Sequence, residues 1–247
     1  MDKNIYTYYR LFGWSILAII FAFLIDNILM VGFQFPGILS LTNGFSLFPS
    51  IELVIYVFSL CLVFYFIPKY KNQSLRNDSK FLHNLNIYII RSCFWVIFLI
   101  GIVDISIAFL RVEKIFDLFL TKNITAQFTR PVFVGTYIHI PLIIFGFIIG
   151  LFTRTLGFHW LSLLIVLSEL VIVITRFIFS YEQTFMGDLV RYWYAGLFLF
   201  ASAYTLYDEG HVRVDILYQG LKDRTKGLVN SIGSITLGVS TSLTIII

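Results

Sequence analysis

The chain has 247 residues, of which 58% are hydrophobic, 18% aromatic and only 13% charged, and its net charge is +4. A mean hydropathy of +0.87 lies outside the range of soluble domains and marks an integral membrane protein. The basic excess is spread through loops between apolar runs, with no dense patch interleaved with aromatics, so it reports membrane orientation and argues against a nucleic-acid partner.

A membrane-crossing helix needs about 20 mostly apolar residues. Seven segments are read as spans: 11–31, 50–67, 88–110, 135–152, 158–179, 192–207 and 228–247. The first is taken as a retained helix, because no small-residue cleavage site follows it. Clusters such as "FQFPGILSLTNG" and "KYKNQSLRNDSK" separate the spans. Only helices satisfy every backbone group within one segment in lipid, so the expected fold is all-α, a polytopic bundle of about seven transmembrane helices.

Between the third and fourth spans, "RVEKIFDLFLTK" sets Val112, Ile115, Phe116, Phe119 and Leu120 at helical spacing, with Glu113, Lys114, Asp117 and Lys122 on the other side. This pattern predicts an interfacial amphipathic helix; a longer, tilted third span is the alternative. The closing run "TSLTIII" has no flanking charge, which leads us to expect further sequence, with an eighth span, beyond it.

Twelve of the eighteen Lys and Arg residues fall on one set of alternating loops and five on the other, with Arg176 inside a span. The positive-inside rule then predicts a cytoplasmic N-terminus and a cytoplasmic segment 205–227. Ionisable residues inside spans are few: Asp26, Asp104, Glu169 and Arg176, with Arg91 and Arg111 nearer the ends. Glu169 and Arg176 are seven residues apart, about 10 Å along a helix, on one face but out of reach of each other. Asp104 and Arg111 repeat that spacing, which permits acid–base pairing between helices. Asp104 and Glu169 therefore read either as an ion or proton pathway or as groups that fix helix packing. Asp26 reads as a boundary residue.

Catalytic motifs are missing from the sequence. His83, His139, His159 and His211 form neither H-E-x-x-H nor an i, i+4 pair, and there is no G-x-S-x-G and no P-loop. Cys61 and Cys93 both lie in apolar runs, without metal or disulfide spacing. Trp160 and Trp193 stand at span edges, where an aromatic belt belongs.

The stretch "TLYDEGHVRVDILYQGLKDRTKG", residues 205–227, concentrates charge after the sixth span. In an extended segment His211, Arg213 and Asp215 point one way and Val212, Val214 and Ile216 the other; in a helix the members of each set would lie about 200° apart. Gly210 is expected to end the sixth span, with a turn through Arg213 and then a short amphipathic helix carrying Val214, Leu217, Tyr218 and Leu221.

In these residues the chain resembles the small permease subunit (Q-type, DctQ-like) of tripartite ATP-independent periplasmic (TRAP) transporters. The resemblance runs over roughly residues 158–247. It rests on Arg176 and Phe177 closing one span, a polar turn with Asp188 and Arg191, and above all "GHVRVDILY" with Gly210, His211, Arg213 and Asp215. It implies a non-catalytic, cofactor-free subunit of a bacterial inner-membrane transporter. Its partners are the large M-type permease subunit, a periplasmic substrate-binding protein and membrane lipid; transport is ion-gradient-driven uptake of organic acids. The motif residues are then subunit-interface or topology residues. Region 156–247 corresponds to the first three of the family's four helices, and region 1–155, with four spans, lies outside the resemblance. The competing expectation is a self-contained ion-coupled transporter using Asp104, Glu169 and Arg176.

Overall fold

The computed structural model describes residues 3–44, 46–154, 157–207 and 216–246, and those residues form helices and connecting turns with no strand among them. The principal helices are α1 (Lys3–Phe33), α2 (Leu47–Lys69), α3 (Leu75–Val112), α4 (Pro131–Phe152), α5 (Phe158–Phe179), α6 (Thr184–Tyr207) and α7 (residues 223–246). Five of them, α1 to α5, are long and apolar enough to cross a membrane. The sixth and seventh predicted spans are helical too. They are less apolar because α6 takes Asp188 and Arg191 into its first turns and α7 opens on Asp223, Arg224 and Lys226.

α3 is longer than the predicted 88–110, since no Gly or Pro interrupts residues 75–100 and the polar stretch "LRNDSKFLHN" continues the helix outward. Beyond it, the single amphipathic helix expected over Val112 to Lys122 is not formed. Lys114 takes a positive φ of 57°, which no continuous helix accepts, and two short helices, Phe116–Phe119 and Lys122–Gln127, follow. Phe116 and Phe128 stack across them, 4.9 Å between ring centroids, leaving Leu118 and Phe119 exposed.

The chain divides into two compact units, residues 1–80 with 214–247 and residues 81–213. In the first, α1 packs along α2. Arg10, 3% exposed, ties α1 to the turn that follows α2. Its Nε donates to Asp78 Oδ2 at 2.6 Å, Nη1 to the Tyr70 carbonyl at 2.8 Å and Nη2 to Gln73 Oε1 at 3.2 Å. The Trp14 indole N–H also donates to Asp78. Every arm of the guanidinium is thus engaged, the condition under which a buried charge is tolerated. In α7, Ser231, Thr236, Thr241 and Thr244 each bond a carbonyl four residues back, which hides their hydroxyls within the helix.

The second unit is built on α3. Ile90, Phe94 and Ile97 of that helix meet Phe158, Leu161 and Ile165 of α5 and Leu189, Val190 and Trp193 of α6 in one core; the three- and four-residue steps show each helix offering a single stripe. α4 reaches α3 differently. Gly146 and Gly150 form a G-x-x-x-G seam, and a Cβ on them would stand 2.6 Å from Val96 and 2.3 Å from Ser92. Such close backbone approach is how helices associate where lipid removes the hydrophobic drive. Gly101 of α3 makes the same kind of room for the Trp193 indole, whose Nε1 would be 2.2 Å from an added Cβ.

Two outcomes follow for stability. Arg10→Met leaves Asp78 buried without its cation, and should cost about 3–5 kcal/mol in reversible unfolding of the detergent-solubilised protein. Gly101→Ala forces the buried, rigid Trp193 ring aside and should cost about 1–3 kcal/mol, read with a red-shifted tryptophan emission in the same experiment.

Candidate functional site

The polar groups of the second unit gather around α3 toward its C-terminal end. Asp104 meets His139 of α4, with Nε2 2.8 Å from Oδ1; the imidazole donates to the carboxylate in the Nε2–H tautomer. The local backbone explains how His139 arrives there. Pro141 has no N–H to offer the preceding turn, and residues Gly135–His139 widen into a π-type turn, a distortion that re-aims side chains and recurs at functional positions. His139 is 30% and Asp104 44% exposed at the side chain, so the pair is half-buried.

Beside it, α3 and the start of α6 enclose a cavity of about 400 Å³ lined by Asp104, Arg111, Asp188 and Tyr192, with Phe185 and Ile105 as apolar wall. Asp188 also lies 3.9 Å from Arg191, three residues on, both side chains being strongly exposed. Outside the spans, the Tyr181 hydroxyl donates to Glu113 at 2.6 Å. That bond holds the phenol protonated above its ordinary range, with desolvation and the carboxylate charge adding to it. The contact joins the turn after α3 to the segment between α5 and α6.

The charges singled out in the sequence are not brought together. Asp104 pairs with His139, whereas Arg176 reaches, among the described residues, Glu182, at 4.0 Å and largely exposed. Glu169 stands on the exposed face of α5 with no hydrogen bond or ion pair among the described residues. Gly210, His211, Arg213 and Asp215 lie outside the described residues. Asp26 is a correction: it is 4% exposed and accepts a bond from Tyr56, so it is a buried group and not a boundary residue. Glu52, fully buried inside the predicted second span, was missed, although a carboxylate within an apolar run is itself the signal. Among the described residues no group of three or more His, Cys, Asp and Glu side chains is placed to hold a metal ion.

Long apolar helices, glycine-mediated packing and half-buried charge pairs define a polytopic helical membrane protein. Within it, residues 165–247 match the family model of the tripartite ATP-independent periplasmic transporters, DctQ component. The match begins in α5, takes in α6 and α7, and includes the segment "GHVRVDILY" on which the resemblance was read. That part of the chain is similar to the small permease component of a TRAP transporter, and residues 1–164 stand outside the match. No curated protein and no solved structure matches the chain.

Removal of either partner of the Asp104–His139 pair should destabilise the second unit modestly. A double-mutant cycle of Asp104→Asn and His139→Ala is expected to return a coupling of about 0.6–1.7 kcal/mol, the range for polar pairs between membrane helices. A coupling of zero would show that the two side chains act independently.

Proposed function

We propose that the chain is the small membrane subunit of a TRAP transporter, enlarged by an N-terminal membrane region. It scaffolds the large M-type permease during ion-gradient-driven uptake of organic acids delivered by a periplasmic binding protein. The observation that carries this reading is the family match over residues 165–247. The subunit sits in a bacterial inner membrane with its N-terminus in the cytoplasm, which places "GHVRVD" on the cytoplasmic side. Region 156–247 supplies the first three helices of the family unit.

Two further features support a scaffold. Glu169 is an ionisable group within an apolar span, exposed on the isolated chain, and such a residue is tolerated in lipid when another polypeptide covers and pairs it. α5 also exposes Leu163, Val166, Leu170 and Val173 alongside it, an apolar surface suited to a second helix. A self-contained transporter built on Asp104, Glu169 and Arg176 gains no such support, because their partners are separate.

The test is co-expression with a large M-type TRAP permease subunit from the same genome, followed by purification in mild detergent. A stable complex is expected, and Arg213→Ala or Asp215→Ala should lower its yield while leaving substrate affinity unchanged. Transport by this chain alone in vesicles, abolished by Glu169→Gln, together with no complex, would replace the scaffold with the self-contained transporter.

A further inference from the structure

The segment between α3 and α4 carries charge and apolar surface that the subunit reading does not use. Both helices are long and apolar enough to cross a membrane, so residues 113–130 leave the bilayer surface and return to it, and they carry too much charge to cross it themselves. Four basic residues, Arg111, Lys114, Lys122 and Arg130, stand on or beside this segment against two acidic ones, Glu113 and Asp117, and all six are exposed. None of the four cations forms an ion pair among the described residues. Glu113 already accepts a bond from the Tyr181 hydroxyl at 2.6 Å, so it is not reserved for any of them. These four are also four of the five basic residues on the set of loops that the charge count leaves poor in them. Orientation by the positive-inside rule therefore gives them no reason to be there.

Between these charges the backbone is folded on itself. After the turn at Lys114, Phe116 stacks on Phe128, Phe128 meets Phe133 edge-on at 5.6 Å, and Phe133 leans on Tyr137 at 5.0 Å. That aromatic chain ties the segment to the start of α4 and leaves other apolar side chains outside it: Leu118 is 77%, Phe119 82% and Val132 80% exposed. Apolar side chains scattered over a surface need no cause. Here large ones lie among unpaired cations at the ends of two membrane-crossing helices, the composition of an interfacial anchor, whose apolar groups enter the boundary between headgroups and acyl chains while its cations stay level with the phosphates. Any phospholipid meets the apolar part; the positive excess is met by headgroups of net negative charge. We infer that residues 111–132 form a folded interfacial anchor, which inserts Leu118, Phe119 and Val132 into the bilayer surface and gathers anionic phospholipid through Lys114, Lys122 and Arg130, with Arg111 at its base. This stapled turn takes the place of the single amphipathic helix that the sequence pattern predicts, and it fixes the depth at which α3 ends and α4 begins. The anchor does not depend on the transporter reading, because all its residues precede the family-matched region.

The experiment places a fluorescent thiol label at Phe119→Cys in the full chain carrying Cys61→Ser and Cys93→Ser, reconstituted in vesicles of phosphatidylcholine with phosphatidylglycerol. Quenching is compared for nitroxide-bearing phosphatidylglycerol, nitroxide-bearing phosphatidylcholine at the same mole fraction, and aqueous acrylamide. The expected result is quenching by both lipids, stronger with phosphatidylglycerol, and little by acrylamide. Lys114→Gln/Lys122→Gln/Arg130→Gln should keep the lipid contact and lose the preference for phosphatidylglycerol. Each single replacement should lower that preference by up to about fivefold, and added salt should weaken it in the same direction. Leu118→Cys serves as the label site if Phe119→Cys does not reconstitute. Quenching by acrylamide and by neither lipid would mean a solvated turn, and equal quenching by the two lipids, or a preference that survives the triple variant, would remove the anionic headgroup. A label shielded from acrylamide and from both lipids would assign the surface to protein, a second copy or another subunit. Each of these three results overturns the anchor.

Discussion

Lipid offers no hydrogen bonds, so each polar group carried into the apolar interior has to be met by another group of the chain, an ion or a partner. The organisation of the molecule answers to that constraint more than to hydrophobic burial, which is slight: side chains such as Phe64, Ile148 and Val166 are exposed because the surrounding medium is as apolar as they are. Arg10 is surrounded by Asp78, Tyr70 and Gln73, Asp104 by His139, and the hydroxyls of α7 by their own carbonyls. Each arrangement fixes one helix end or one helix pair where packing area alone would leave it free.

Glycine works alongside the polar pairs. The α3–α4 contact, which carries the Asp104–His139 pair at one end, rests on Gly146 and Gly150 further along, and Trp193 fits against α3 through Gly101; both let backbone or ring approach to distances a methyl would forbid. Dispersion gained at such contacts is individually small and collectively sufficient in a medium that supplies no hydrophobic drive. The second unit therefore has a firm centre in α3, α5 and α6 and a wide apolar periphery, the form expected of a protein whose surroundings are apolar.

The spans were legible in the amino-acid pattern because hydropathy acts over a whole helix and tolerates local irregularity; α1 to α5 cover the predicted segments, with ends displaced by several residues and, at the start of α3, from 88 back to 75. The G-x-x-x-G seam and the Pro141 turn were also written there, in "YIHIPLIIFGFIIGLF", but as features with many innocent occurrences. The break at Lys114 was not legible, since a lysine carries no sign of a left-handed backbone; the aromatic stack of Phe116 on Phe128 lies just beyond it. The partner of Asp104 was hidden for a different reason. Residue 139 is remote in sequence, and helical spacing relates positions within one helix only, so the arginine seven residues on drew attention that the histidine did not. Asp26 was misjudged because a carboxylate near a span end is ordinarily solvated, whereas here the turn at Gly37 folds back and seals it beside Glu52.

The unpartnered carboxylates divide by exposure, and the division carries the functional argument. Asp26 and Glu52 each keep one oxygen without a partner among the described residues while enclosed within the chain. Glu169 has no partner among the described residues and faces outward from α5. The first belongs to the N-terminal region, the second to the part that matches the DctQ component. One chain thus presents two different unmet polar demands, one enclosed beside the turn at Gly37 and one on the outer face of α5.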